Sequence, residues 1–176
     1  MKKEALKRIF DFLEEKGEQN PPFMWKYMNN IPLTEDDLNI EGDLDLSGIE
    51  ATSLPEGLKI KGNLNLSSSK ITSLPRDLNI KGGLNLTNTS ITSLPRDLNI
   101  KGDLNLAHTL ITSLPEGLKV KGSLNLSFCK RLNSLPKGLV VGNQLWLQWS
   151  GLKDYSHDEI IEMIYPGKVK REKIFT

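Results

Sequence analysis

The twelve residues ITSLPRDLNIKG occur at Ile71–Gly82 and again, letter for letter, at Ile91–Gly102. Few features constrain a fold more. A catalytic centre needs unique residues in asymmetric positions. A unit that stacks on copies of itself meets the same neighbours each time and can keep the same sequence. The Leu-Pro pairs extend the pattern: Leu54-Pro55, Leu74-Pro75, Leu94-Pro95 and Leu114-Pro115 are spaced by 20 residues, and Leu135-Pro136 follows after 21. Around these anchors the unit reads Leu-Pro-x-x-Leu-x-Ile-x-Gly-x-Leu-x-Leu-x-x-x-x-Ile-Thr-Ser. Degenerate copies, LNIEGDLDLSGIEATS and LVVGNQLWLQWSGL, open and close the array, giving six copies over 32–152.

Within a copy, Leu58, Ile60, Leu64 and Leu66 alternate with polar residues, the period of a strand with one buried face. Leu54 and Ile71 complete six inward candidates, each worth about 1.5–3 kcal/mol when fully buried. No single unit of this size buries its own apolar face, so the copies must share one core. The recurring Gly42, Gly62, Gly82, Gly102 and Gly122 mark a positive φ or a close backbone approach. Asn143 holds that place in the sixth copy. Pro fixes φ after each Leu, and the preceding Thr-Ser is suited to local hydrogen bonds with the turn.

The stretch LPEGLKIKGNLNLSSSKITSLP resembles a bacterial leucine-rich repeat, above all the short Leu-Pro-containing type found in effectors secreted by pathogens. The resemblance covers about two-thirds of the chain. It implies a β-rich repeat solenoid with a binding role. That family places Asn on the inner turn after its strand. Here the matching positions hold Ile49, Ser69, Thr89, Thr109, Cys129 and Ser150, whose hydroxyls and thiol are expected to do part of the same work. The Gly spacing also departs from the family and points toward a flattened β-solenoid rather than a horseshoe. Some similar effectors carry a C-terminal ubiquitin-ligase domain with a catalytic Cys. The residues after Leu152 contain no Cys, so that activity does not carry over.

Solenoid ends need caps. Residues 1–31 read as the N-terminal cap: Leu6, Ile9, Phe10 and Leu13 share one helical face, Gly17 stops the helix, and Phe23, Trp25, Tyr27 and Met28 supply apolar cover for the first coil. Residues 153–176 read as the C-terminal cap. Ser156 and Glu159 form a capping box ahead of Ile160, Ile161, Met163 and Ile164, and Pro166-Gly167 ends the helix before a basic tail that suits a last strand. The expected fold is therefore a leucine-rich-repeat-like β solenoid with short α-helical N- and C-terminal caps.

Outward positions form ladders. Asn65, Asn85, Asn105 and Asn125 follow Asp45 and lead to Trp146; the expectation is an amide ladder bonded side chain to side chain, with a polar face that binds a partner as the alternative. Lys61, Lys81, Lys101 and Lys121 form a basic ladder that suits phosphate or protects an exposed edge. A third row runs Gly48, Ser68, Asn88, His108, Phe128 and Trp149. His108, Leu110, Phe128, Trp146 and Trp149 gather large side chains toward the C-terminal half. They form the expected partner-binding site, with burial beneath the C-terminal cap as the alternative.

Charge is balanced, 23 basic against 22 acidic residues, which argues against a dedicated polyanion binder. One Cys allows no internal disulfide, and no apolar run is long enough for a membrane span. No metal-ligand cluster, paired carboxylate or phosphate-cradling Gly loop stands out, and a His108–Cys129 dyad would need an outward and an inward residue to meet. The expectation is a non-enzymatic, cytoplasmic protein-binding module without cofactor or metal, encoded by a bacterium or phage and acting by steric occupation of another protein. A self-assembling structural protein and a nucleic-acid binder or mimic are the alternatives.

Overall fold

The twenty-residue spacing of the sequence is the pairing register of the strands. In the computed structural model, which describes residues 23–176, Leu64 pairs with Leu84, Leu84 with Leu104, and Leu104 with Leu124. Every such pairing is parallel, as repeated passage in one direction requires.

The chain divides into two compact units, Met1–Leu38 and Asn39–Thr176. In the first, the described residues form α1 (Phe23–Met28) and a short α2 (Glu35–Leu38). The Lys26 ammonium is buried and meets both carboxylate oxygens of Asp37, at 2.7 and 2.9 Å. The Thr34 amide and hydroxyl donate to the same carboxylate, at 2.8 and 2.9 Å. The helix expected through Leu6, Ile9, Phe10 and Leu13 lies outside the described residues.

The second unit is the solenoid. Each coil contributes two strands of two residues: β1 (Asn39–Ile40) and β2 (Leu44–Asp45), β3 (Lys59–Ile60) and β4 (Leu64–Asn65), β5 (Asn79–Ile80) and β6 (Leu84–Asn85). The series continues with β7 (Asn99–Ile100) and β8 (Leu104–Asn105), β9 (Lys119–Val120) and β10 (Leu124–Asn125), β11 (Val140–Val141) and β12 (Leu145–Trp146). The even-numbered strands make one continuous sheet of seven, completed by β13 (Ile174–Phe175). The odd-numbered strands make two sheets of three. A coil with two strand-bearing faces is a β-solenoid.

The core lies between these faces. Leu58, Ile60, Leu64, Leu66 and Ile71 are at most 1% exposed, and their equivalents in the following coils are likewise buried. Ile40, Leu44, Leu46 and Ile49 of the first coil are only half-buried.

The recurring glycines separate the two strands of a coil, and close approach explains them. The amides of Gly82, Gly102 and Gly122 each donate to the glycine carbonyl one coil earlier at 3.0 Å. A Cβ on Gly82 would lie 2.6 Å from the Gly62 carbonyl oxygen. None of Gly42, Gly62, Gly82, Gly102 and Gly122 has a positive φ, nor does Asn143, whose amide continues the column at 3.0 Å to the Gly122 carbonyl. The Thr-Ser segment also bonds between coils: the Thr72 amide donates to the Thr52 carbonyl at 2.9 Å, and Thr112 repeats this on Thr92 at 3.1 Å.

At the C-terminal end, α3 (His157–Ile164) starts at a complete capping box between Ser156 and Glu159 and buries Ile160 and Ile164. The Gly138 amide donates to the Ile164 carbonyl at 2.8 Å, tying the helix to the last coil. The tail then returns as β13 beside β12.

Candidate functional site

In the seven-stranded sheet, each of the six strands β2, β4, β6, β8, β10 and β12 runs into a tight turn. In the second coil the Ser69 amide donates to the Leu66 carbonyl at 3.2 Å, and Cys129 and Ser150 repeat this on Leu126 and Leu147 at 3.1 and 3.0 Å. Such a turn needs a positive φ at its third residue. That residue is Gly48 (φ 67°), Ser68 (56°), Asn88 (58°), His108 (58°), Phe128 (62°) or Trp149 (59°) in successive coils. Gly and Asn adopt this backbone readily, whereas other L-residues lose about 1–2 kcal/mol. The last three coils thus hold bulky rings where smaller residues fit at lower cost.

The rings stack. The His108 and Phe128 centroids are 4.1 Å apart with planes 12° from parallel. Phe128 and Trp149 follow at 6.3 Å and 17°. Trp149 is 63% exposed and Phe128 38%, so the C-terminal cap does not cover them. Leu110, two residues past His108, is also exposed. Three near-parallel rings and a leucine therefore project from one edge of the solenoid, with Lys130 and Arg131 two and three residues after Phe128 in the chain.

Trp146 stands elsewhere. It lies on the seven-stranded sheet, in register with Asn125 on one side and Phe175 on the other. Its ring is half-buried and tilted 32° from that of Phe175, 6.3 Å away. The five large residues expected to form one cluster thus occupy two places.

The asparagine column is held differently from the expected side-chain ladder. The Oδ1 atoms of Asn65, Asn85, Asn105 and Asn125 accept the amides of Ser67, Thr87, Ala107 and Ser127, at 3.1, 3.1, 3.1 and 3.0 Å. Each carboxamide thereby caps its own turn, the local bonding to which Asn is suited. Asn65 also reaches the previous coil through Asp45 Oδ1 at 3.1 Å. In the basic column Lys61 pairs with Glu41 at 2.8 Å. Lys81, Lys101 and Lys121 are exposed and form no ion pair among the described residues.

Inside the turn, the hydroxyls of Ser69, Thr89, Thr109 and Ser150 donate to the strand carbonyl three residues earlier, at 2.6–2.8 Å. The Cys129 thiol instead donates to the Leu106 carbonyl at 3.0 Å and lies 3.4 Å from Thr109 Oγ1. Burial pushes its pKa up, so it stays a thiol. Cys129 is fully buried and His108 exposed, so the two do not form a dyad.

Among the described residues no group of three His, Cys, Asp or Glu side chains is placed to hold a metal ion, and no helix is long and apolar enough to cross a membrane. Comparison with protein-family models, with curated proteins and with solved structures finds no match.

Sequence reasoning placed the aromatic row but not its backbone. The signal was present in the two smallest members of the column, Gly48 and Asn88, the residue types that tolerate positive φ.

Proposed function

We propose that this chain is a non-enzymatic, leucine-rich-repeat-type protein-binding module that engages its partner through His108, Leu110, Phe128 and Trp149. The observation that carries the reading is the placement of three stacked rings on a left-handed backbone, with the largest ring 63% exposed. Strained backbone positions concentrate where function requires them, and exposed Trp is enriched at binding hot spots. Lys130 and Arg131 beside the row favour a partner with acidic residues around an apolar anchor point. The module acts by occupying that partner's surface, as a bacterial or phage inhibitor in the cytoplasm would.

The test is affinity capture from bacterial lysate with the chain and with a Phe128→Ser/Trp149→Ser double variant. Capture of one stoichiometric partner by the parent and its loss in the variant, with circular dichroism unchanged, supports the reading. Self-assembly appears instead as a multimer in size-exclusion light scattering. A nucleic-acid role through Lys61, Lys81, Lys101 and Lys121 appears as binding that collapses between about 50 and 200 mM salt.

A further inference from the structure

The outer face of the seven-stranded sheet differs in chemistry from the aromatic edge. Because Oδ1 of Asn85, Asn105 and Asn125 is engaged by the turn amide, each carboxamide is fixed. Each Nδ2 has no protein acceptor among the described residues. The result is three immobilised N–H donors in a line, one per strand spacing of about 4.8 Å. In the neighbouring column Gly83 has no side chain between Asn63 and Asp103, and this opens a depression bordered by Asn65, Asn85 and Asn105. Asp103 receives the Ser123 amide on Oδ1 at 2.6 Å and supplies carboxylate acceptor capacity there. The asparagine column then ends on the half-buried ring of Trp146 beside Phe175.

From this arrangement we infer that the face binds a linear, uncharged oligosaccharide lying along the solenoid axis. Fixed amide donors and a carboxylate match sugar hydroxyls, which both donate and accept. The ring of Trp146 offers a flat surface for the C–H face of a pyranose. From Asn85 to Trp146 the row covers three strand spacings, about 14 Å, which accommodates a short oligomer. Two other occupants fit less well. Within the six coils neither column contains Lys or Arg, Lys173 standing beyond them next to Gln144, and Asp43, Asp45 and Asp103 repel a polyanion. An extended peptide along this axis advances about 3.3 Å per residue, out of step with the coils. This site is separate from the aromatic edge and does not depend on that reading.

The experiment is a titration of the full chain with a panel of neutral tetra- and hexasaccharides of α- and β-linked hexoses, read by calorimetry and tryptophan fluorescence. Oligogalacturonate serves as the charged control. Asn105→Asp keeps the turn, since Asp45 Oδ1 accepts the Ser47 amide at 2.9 Å in the first coil, but removes the outward donor. Saturable binding of a neutral oligomer is expected. Asn105→Asp should weaken it about fivefold to tenfold with an unchanged melting midpoint. Trp146→Leu should weaken it and remove the fluorescence change, while Trp149→Gly should leave it intact. Absence of binding across the neutral panel, tighter binding of the uronate, or equal affinity in Asn105→Asp overturns the inference.

Discussion

The imidazole of His108 lies flat on the phenyl ring of Phe128, with centroids 4.1 Å apart. The two residues are 20 positions apart and occupy the same point of adjacent coils, each with a left-handed backbone. Stacking of this kind contributes about 0.5–1.5 kcal/mol, the same order as the backbone cost it opposes. The row is close to neutral for the fold, and it leaves apolar surface in water.

Replacing Trp149, the outermost ring, by glycine should therefore not harm the fold. Trp149→Gly relieves the φ of 59° and removes a side chain that is mostly exposed. The melting midpoint by circular dichroism should hold or rise, whereas Trp149→Val, β-branched at the same backbone, should lower it by about 1 kcal/mol or more in stability. A large loss in Trp149→Gly would mean that the ring is a structural support.

Two glycines at equivalent places should respond oppositely to alanine. A Cβ on Gly82 would meet backbone atoms of Gly62 at 2.6 and 2.7 Å, while one on Gly42 meets nothing within 4 Å among the described residues. Gly82→Ala should cost about 1–3 kcal/mol in urea denaturation. Gly42→Ala should be neutral or slightly stabilising.

These glycines also mark where the sequence was legible and where it was not. Leu58, Ile60, Leu64, Leu66 and Ile71 were readable as core because alternation and a fixed repeat reveal which side chains face neighbouring copies. The spacing of Leu64 and Leu84 became the strand register for the same reason. The left-handed position was hidden by Phe128 and Trp149, residue types that ordinarily avoid it. The separation of Trp146 from Trp149 was hidden too, because three residues of chain carry no sign that a turn lies between sheet face and edge. The division of labour in Asn85, one oxygen bound to its own turn, depends on a side-chain torsion that spacing does not encode.

Cys129 should be chemically silent. Its thiol is fully buried, bonded to the Leu106 carbonyl, and held protonated by burial. An alkylating reagent at neutral pH should label it only after denaturant is added. Cys129→Ser should cost at most about 1–2 kcal/mol, since Ser69 and Ser150 already occupy this place in other coils. Rapid labelling of the native chain would contradict the buried turn.

Acid should weaken the C-terminal helix through Glu159. Hydrogen bonds from the Ser156 amide and hydroxyl hold the Glu159 carboxyl below its usual pKa. A depressed folded pKa stabilises the fold above the unfolded value and loses that contribution as pH falls through the folded one. Glu159→Gln retains a capping partner without a titrating group. The stability of the parent relative to Glu159→Gln should be constant above about pH 5 and decline below the ordinary Glu range near about pH 4. A difference independent of pH would remove Glu159 from the acid response.

The coil-to-coil glycine column has an evolutionary consequence. The carbonyl of Gly62 receives Gly82, that of Gly82 receives Gly102, and the twelve residues ending at Gly82 and at Gly102 are identical. Duplicating or excising the twenty residues that follow Gly82 creates no new peptide junction, because the twelve residues before either glycine are the same, while the variable positions exchange neighbours, Ser68 meeting His108 in place of Asn88 after excision. The molecule's length can thus change by whole increments of about 4.8 Å, keeping both termini as they are.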